Sequence, residues 1–288
     1  MSEFPSSPPA VVVGIDGSRS AVDAALWAVD EAVSRDIPLR LVYAIDPDTS
    51  GTDPQDAARD LATAEIAVRH AFTAVESTDK PVKIEVEILQ SRPTRALLDA
   101  SRWAAMACIG AMGLRDSAHG RIGSTAAALA ASAHCPVAII RSGGPNSTGQ
   151  RWVVAEVDHS GACNGVLRRA VEETRLRAAP LRVVTAWQSR FSDIHDTQAV
   201  ADGNRQATAQ LDRQVAGWRK RYPDLDVETV AVHGMTLNYL TENTGSIQLL
   251  VVGQERAHGI RDLVGPPGYA SLHDTSCSVL ICEPQNVL

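Results

Sequence analysis

Glycines and hydroxyl residues follow one another after residue 109 in an order that suits the binding of a phosphate group. The segment reads Gly110-x-x-Gly113, nine further residues, and then Gly123-Ser124-Thr125. Glycines at a strand end leave backbone amides uncovered, and a helix that opens at Gly-Ser-Thr presents free N–H groups and a positive dipole end to an anion. The alternative is that the glycines only permit a loop and a helix start. The segment has no lysine of the P-loop type, so we expect a phosphate to be held without strong activation.

Sequence patterns typical of other site chemistries are absent. No two of the five cysteines have Cys-x-x-Cys spacing, and the eight histidines form no His-Glu-x-x-His pattern. No Gly-x-Ser-x-Gly sequence organises the serine, histidine and aspartate residues into a hydrolase site. We therefore predict no metal site and no catalytic residue.

Composition excludes several classes of protein. The chain has 288 residues, of which 44% are hydrophobic and 21% charged, with a net charge of -7. An acidic chain is poorly suited to coat nucleic acid or an anionic membrane. No apolar run approaches the ~20 residues of a membrane span, and the first residues lack the pattern of a secretory signal. We expect a cytoplasmic protein with reduced, buried cysteines and neither nucleic acid nor membrane as a partner.

The chain repeats itself at an offset of 142 residues. Three separate matches at one offset predict two copies of one domain, at residues 1–143 and 150–288, joined by a linker rich in Gly, Ser, Pro and Asn. The matched segments are Val13–Ser18 with Ala155–Ser160, Leu39–Ile45 with Leu181–Trp187, and Cys135–Val137 with Cys277–Val279.

Each copy alternates predicted strands and helices. Continuous apolar runs are typical of parallel strands buried on both faces. Ser20-x-x-Asp23 is a candidate capping box for the first helix. The pattern predicts an α/β fold with two tandem, doubly wound, five-stranded parallel sheets, which bind ligands at the carboxyl ends of their strands. The strands predicted in the first copy are 10–15, 39–45, 82–89, 106–110 and 137–140.

Asp16 at the end of the first strand, together with the Gly110-x-x-Gly113-x9-Gly123-Ser124 frame, resembles the universal stress protein family in its ATP-binding branch. The resemblance covers essentially the whole chain as a tandem form. It implies an adenine nucleotide α-hydrolase-like fold, ATP as the ligand, and contact between adenine and the backbone near Ala44. Asp16 equally suits the capping of the first helix, and both roles are compatible. The predicted nucleotide-binding residues are Gly14, Asp16, Ala44, Gly110, Met112, Gly113, Arg115, Gly123, Ser124 and Thr125.

The second copy departs from this pattern in its phosphate loop. Arg256 stands where the second glycine is expected, and Pro266-Pro267 replaces Ser-Thr and removes two amide donors. The spacing from Gly253 to Gly265 is 12 residues, against 13 from Gly110 to Gly123. We expect this copy to bind ATP poorly or not at all. Its arginines could instead hold another anion, or the copy could serve packing and dimerisation.

Three functions are consistent with these observations. The first is a stress-response or signalling protein that holds ATP in its first domain with little or no turnover. The second is an ATP-hydrolysing or adenylyl-transferring enzyme, which needs a lysine near the phosphates, whereas the only lysines are Lys80, Lys83 and Lys220. The third is a nucleotide-free scaffold. The expected partners are an adenine nucleotide and either a second copy of the chain or the other domain.

Overall fold

The computed structural model describes residues 9–48, 53–114, 122–141, 151–158, 163–188, 197–254 and 277–282. These residues form two compact units, one on each side of residue 142. The proposed linker, Arg115 and the altered loop of the second copy lie outside the described residues. Within the described ranges, no helix combines the length and the apolar character needed to cross a bilayer.

The first unit alternates strands and helices as the sequence predicts, with strand boundaries within two residues of the predicted ones. Its strands are β1 (Val11–Ile15), β2 (Leu39–Ile45), β3 (Ile84–Gln90), β4 (Met106–Gly110) and β5 (Val137–Ile140). Its helices are α1 (Arg19–Arg35), α2 (Pro54–Glu76), α3 (Pro93–Ser101) and α4 (Ser124–Ser132).

The strands of this unit form a parallel sheet in the order β3-β2-β1-β4-β5. Strand β1 lies at the centre, where Val11 pairs with Leu39 on one side and with Met106 on the other. The chain therefore winds outward in one direction from β1 and returns to wind in the other direction from β4. Right-handed crossovers then place the helices on both faces and open a crevice between the ends of β1 and β4.

Helix α1 begins before the candidate capping box. Ser18 is its N-cap, and the Ser18 Oγ accepts a hydrogen bond from the Ala21 amide at 3.1 Å. Ser20 instead lies inside the first turn, where its hydroxyl accepts a hydrogen bond from the Met112 amide at 3.4 Å. The expectation of a cap at Ser20 is therefore wrong, because a contact with the loop after β4 occupies that hydroxyl.

The second unit repeats this architecture, in the order β8-β7-β6-β9-β10 with parallel neighbours. Its strands are β6 (Trp152–Glu156), β7 (Leu181–Trp187), β8 (Val227–His233), β9 (Ile247–Gly253) and β10 (Ser278–Cys282). Its helices are α5 (Cys163–Leu176), α6 (Thr197–Arg221) and α7 (Thr236–Asn243), and a 3-10 turn at Thr244–Ser246 follows α7.

Strand pairing shows where the two copies differ in length. Arg40 pairs with Glu85 in the first unit and Arg182 pairs with Glu228 in the second, so the offset rises from 142 to 143 between β7 and β8. It returns to 142 at β10, because Ile140 pairs with Gly110 while Cys282 pairs with Gly253. One residue is inserted before β8, and one is lost between β9 and β10.

A buried ion pair recurs at the same place in both units. Glu31 of α1 is fully buried, and its Oε2 lies 2.5 Å from the Arg35 guanidinium. Glu173 of α5 is also fully buried, with the Arg177 guanidinium at 2.9 Å. A carboxylate removed from water needs such a partner, because its desolvation costs several kcal/mol.

Replacing Arg35 with methionine tests this pair. We expect Arg35→Met to lower the free energy of unfolding by about 3 kcal/mol, because the Glu31 carboxylate stays buried without that guanidinium. Urea denaturation followed by circular dichroism measures the effect. Arg69→Met, at an exposed position on α2, is the control and should change stability by less than about 0.5 kcal/mol. Equal effects of the two substitutions would contradict a stabilising role for the pair.

The side chains of four cysteines are buried thiols, as predicted: Cys108, Cys135, Cys277 and Cys282. Burial raises the pKa of the Cys282 thiol to about 12. At pH 8 only about one Cys282 side chain in ten thousand is then a thiolate. We expect iodoacetamide to leave Cys282 unmodified in the native protein and to alkylate it in urea, as measured by peptide mass spectrometry. Alkylation of the native protein at the rate of a free thiol would show that Cys282 is accessible.

Candidate functional site

A large cavity opens at the carboxyl ends of β1, β2 and β4 in the first unit. Its volume is about 1630 Å³, above the ~300–1,000 Å³ of common ligand sites, so a nucleotide-sized molecule would occupy only part of it. All the predicted site residues in the described part of the chain line this one cavity. They are Gly14, Asp16, Ala44, Gly110, Met112, Gly113, Gly123, Ser124 and Thr125. The role predicted for Arg115 stays a prediction.

Asp16 joins the end of β1 to the loop after β4. Its Oδ1 accepts a hydrogen bond from the Ser18 amide at 2.9 Å, and its Oδ2 accepts one from the Leu114 amide at 3.2 Å. The first bond forms the turn before α1, whereas Ser18 itself caps the helix. Two backbone donors hold the carboxylate in one orientation, and each oxygen keeps a lone pair for a further donor.

Close packing explains two glycines of the predicted phosphate loop. A Cβ on Gly110 would lie 2.4 Å from the Ser20 Oγ and 2.6 Å from the Ser20 carbonyl carbon. A Cβ on Gly113 would lie 3.0 Å from the Asp16 Oδ2. The absence of side chains therefore lets the first turn of α1 and the Asp16 carboxylate approach the loop. This is a different reason from the exposure of amides to a ligand that the sequence pattern suggests.

The start of α4 supplies unpaired amides to the cavity. Gly123 is the N-cap, and the first hydrogen bond of the helix runs from the Ala127 amide to the Gly123 carbonyl at 3.0 Å. The amides of Ser124, Thr125 and Ala126 precede that bond and are the free donors of a helix N-terminus. No acidic side chain occupies the first turn, so the positive end of the dipole is not offset there.

Ala44 presents its carbonyl to the crevice. The neighbouring Ile45 carbonyl accepts a hydrogen bond from the Ser91 amide, which follows β3. Carbonyls alternate between the two sides of a strand, so the Ala44 carbonyl faces the β1 side. Strand β1 ends at Ile15, which pairs with Tyr43, and Ala44 lies beyond that pair.

Tyr43 and Asp60 are cavity residues that sequence reasoning missed. Tyr43 is half-buried, and its pKa is raised by burial first and then by the negative charges of Asp16 and Asp60. Tyr43 lies next to Ala44, so the position was close to the predicted site. The orientation of the Tyr43 side chain toward the cavity was not predictable, because it depends on the packing of α2 on β2.

Two further missed residues form an ion pair at the cavity lining. The Arg92 Nε lies 2.7 Å from the Asp48 Oδ2, which connects the chain after β2 to the start of α3. Hydrogen bonding to Asp48 raises the pKa of Arg92. Both side chains are exposed, so the pair contributes little to stability.

The second unit places a tryptophan where the first has a cavity residue. Trp187 occupies the position of Ile45, and its ring lies 4.6 Å from the His233 ring. Its Nε1 donates a hydrogen bond to the Asn204 Oδ1 at 3.0 Å. A Cβ on Gly203 would come within 2.4 Å of the same ring. The Trp187 indole, which contacts α6 and β8, thus lies at the carboxyl end of β7.

The described residues of the two units contain no candidate metal site. Within the described ranges, no group of three or more His, Cys, Asp or Glu side chains is placed to hold a metal ion.

Each unit is a doubly wound parallel sheet, and in the first unit a cavity opens at the strand ends. These features define a tandem α/β protein. The chain belongs to the universal stress protein family, whose model matches residues 9–141 and again residues 151–283. Universal stress protein Rv2028c of Mycobacterium tuberculosis is 49% identical over 280 residues, which cover 96% of this chain and 97% of that protein.

A solved structure that spans both units has the same fold. A universal stress protein from Archaeoglobus fulgidus covers 96% of this chain and 96% of its own, with a TM-score of 0.67 at 16% identity. A second structure from Archaeoglobus fulgidus, a universal stress protein in complex with dAMP, matches 46% of this chain and 95% of its own at 23% identity and a TM-score of 0.35.

Replacing Gly110 with alanine tests the close approach of α1 and β4. We expect Gly110→Ala to destabilise the protein by about 2 kcal/mol, because the added methyl group meets the Ser20 backbone and forces α1 to shift. Thermal unfolding measures the loss. Gly217→Ala is the matched control, since nothing lies within 4 Å of its Cβ and the site is inside α6. The control should gain up to about 1 kcal/mol. A gain for both variants would mean that Gly110 is not tightly packed.

Proposed function

We propose that the first unit binds ATP and that the protein acts as a nucleotide-holding stress-response protein with little or no turnover. The observation that carries this proposal is that the free amides at the start of α4 and the Ala44 carbonyl at the end of β2 line the same cavity. The dAMP complex is a property of the Archaeoglobus fulgidus protein alone. The proposal that this chain binds ATP rests on the cavity of its own first unit.

The phosphates would be held at the start of α4. The Ser124 and Thr125 amides, with their hydroxyls, provide donors without a competing first-turn acid. Helix N-termini of this kind bind phosphate through free amides and the dipole together. Gly110 and Gly113 keep the opposite side of the cradle free of side chains, although packing against Ser20 and Asp16 is what requires them.

The nucleoside would be held by acceptors at the ends of β1 and β2. The Ala44 carbonyl accepts hydrogen bonds of the kind that the exocyclic amino group of adenine donates. The free lone pairs of Asp16 suit ribose hydroxyl groups, which are also donors. Asp16 is fixed by two backbone amides, so its orientation is set before a ligand enters.

Chemical turnover has little support in the cavity. No lysine is among the described residues that line it, so the P-loop lysine has no counterpart there. The arginines of the lining, Arg92, Arg95 and Arg102, lie at the start of α3 and after its end rather than on the loop after β4. Asp16 already accepts two backbone amides, which disfavours its use as a general base. Holding the nucleotide, rather than hydrolysing it, is the function that these groups suit.

The second unit, in this proposal, binds ATP weakly or not at all. Glu156 stands at the position of Gly14 and Trp187 at the position of Ile45, which adds a carboxylate and an indole at the corresponding strand ends. Pro266 and Pro267, which are predicted to remove two amide donors, lie outside the described residues. Their effect on binding stays a prediction.

A charge placed at the start of α4 tests the proposal. Thr125→Glu puts a carboxylate among the α4 amides, and we expect it to weaken ATP binding at least a hundredfold by repelling the phosphates. Ala127→Glu adds the same charge to the same helix at an exposed position outside the cavity lining, and it should bind ATP within about threefold of the wild type. Isothermal titration calorimetry with ATP and Mg²⁺ measures both. Folding should be intact in both variants, because an acid in the first turn stabilises a helix.

Two results would overturn the proposal. One is the absence of ATP binding by the wild-type protein, together with no adenine nucleotide in the supernatant after the purified protein is denatured. The other is steady ATP hydrolysis at rates of about 1–10³ s⁻¹, which are typical of enzymes.

A further inference from the structure

The second unit carries a surface of arginine, lysine and aromatic side chains at the carboxyl ends of α5 and α6. We call it the arginine–tyrosine patch, and it consists of Arg175, Trp218, Lys220, Arg221 and Tyr222. It lies in a different unit from the nucleotide cavity and does not rest on nucleotide binding.

Tyr222 organises this patch. The guanidinium carbons of Arg175 and Arg221 both lie 5.5 Å from the centroid of its ring. Trp218, one turn earlier on α6, stacks on the same ring with centroids 6.2 Å apart and an interplanar angle of 14°. Contacts between guanidinium groups and an aromatic ring limit the freedom of both arginines, so less entropy is lost when they bind a ligand.

The cations of the patch are exposed and carry no counter-ion among the described residues. Arg175, Lys220 and Arg221 are all exposed, and no described carboxylate lies within 4.0 Å of their nitrogens. Arg219 differs, because its guanidinium is 2.8 Å from Asp212 and also donates a hydrogen bond to the Val227 carbonyl. Arg219 therefore stabilises the fold, while its neighbours are available.

Helix stability alone does not account for this surface. A cation in the last turn offsets the helix dipole, and Arg219 already supplies one. The equivalent helix of the first unit, α2, has no basic residue in its last turn and continues into Ser77, Thr78 and Asp79. Lys220 and Arg221 thus have no counterpart in the last turn of α2 and form no ion pair with a described carboxylate, so the fold that the two copies share does not require them.

We propose that the arginine–tyrosine patch binds an Asp- or Glu-rich segment of a partner protein. Two guanidinium groups fixed on one ring present the planar forks that bind carboxylates through paired hydrogen bonds. A nucleic acid is disfavoured, because its bases need free aromatic faces and the Tyr222 ring already contacts two guanidiniums and an indole.

Fluorescence anisotropy of fluorescein-labelled deca-glutamate, at low and at physiological salt, tests this proposal on the full-length protein. We expect saturable binding that weakens with salt. Arg175→Gln/Arg221→Gln should weaken it about tenfold, given two exposed charge pairs of about 0.7 kcal/mol each. The control Arg59→Gln/Arg69→Gln removes the same charge from α2 and should bind within about twofold of the wild type.

Tyr222 variants separate the ring from its hydroxyl. Tyr222→Phe keeps the ring and should bind as the wild type does, whereas Tyr222→Ala frees both arginines and should weaken binding severalfold. Failure of the wild type to bind the peptide would overturn the proposal, as would equal losses in the patch and control variants. Displacement of the peptide by an equimolar ten-residue thymidine oligonucleotide would assign the patch to nucleic acid instead.

Discussion

The Asp16 carboxylate connects the two strand ends between which the cavity of the first unit opens. One of its oxygens shapes the turn that leads into α1, and the other holds the Leu114 amide of the loop after β4. Gly113 has to lack a side chain because this carboxylate lies 3.0 Å from where its Cβ would be. Ser18 and Ser20 add contacts to the same loop through Met112. The shape of the cavity therefore depends on a few hydrogen bonds that join β1 and β4.

The duplication separates what the fold needs from what a site needs. Both units keep the strand order, and both keep a buried glutamate paired with an arginine one turn later. They differ at the strand ends, where Ile45 corresponds to Trp187, and at the ends of their second helices. The strand order and the buried pair therefore belong to the common fold, whereas the residues at the strand ends vary between the two copies.

Much of the first unit was predictable because its signals are local. Strands buried on both faces are continuous apolar runs, and all five predicted strands of this unit are observed with small boundary errors. The start of α1 was harder, because Ser18 and Ser20 are equally good caps by residue type. The contact between Ser20 and Met112, 92 residues apart, decides between them. Tyr43 and Asp60 were missed for a similar reason, since no local pattern brings a residue of β2 near one of α2.

The sequence by itself determined the duplication and the class of fold, because repeats and apolar periodicity are written along the chain. Glycine spacing and the family resemblance also indicated nine residues that line the cavity, but not Tyr43, Asp48, Asp60 or Arg92. Only the tertiary structure decided what those residues do for one another. Gly110 and Gly113 are required by the approach of Ser20 and Asp16, contacts that exist only once α1 packs over the end of β4. The arginine–tyrosine patch likewise combines Arg175 with Tyr222, which are 47 residues apart and meet because α5 and α6 end side by side.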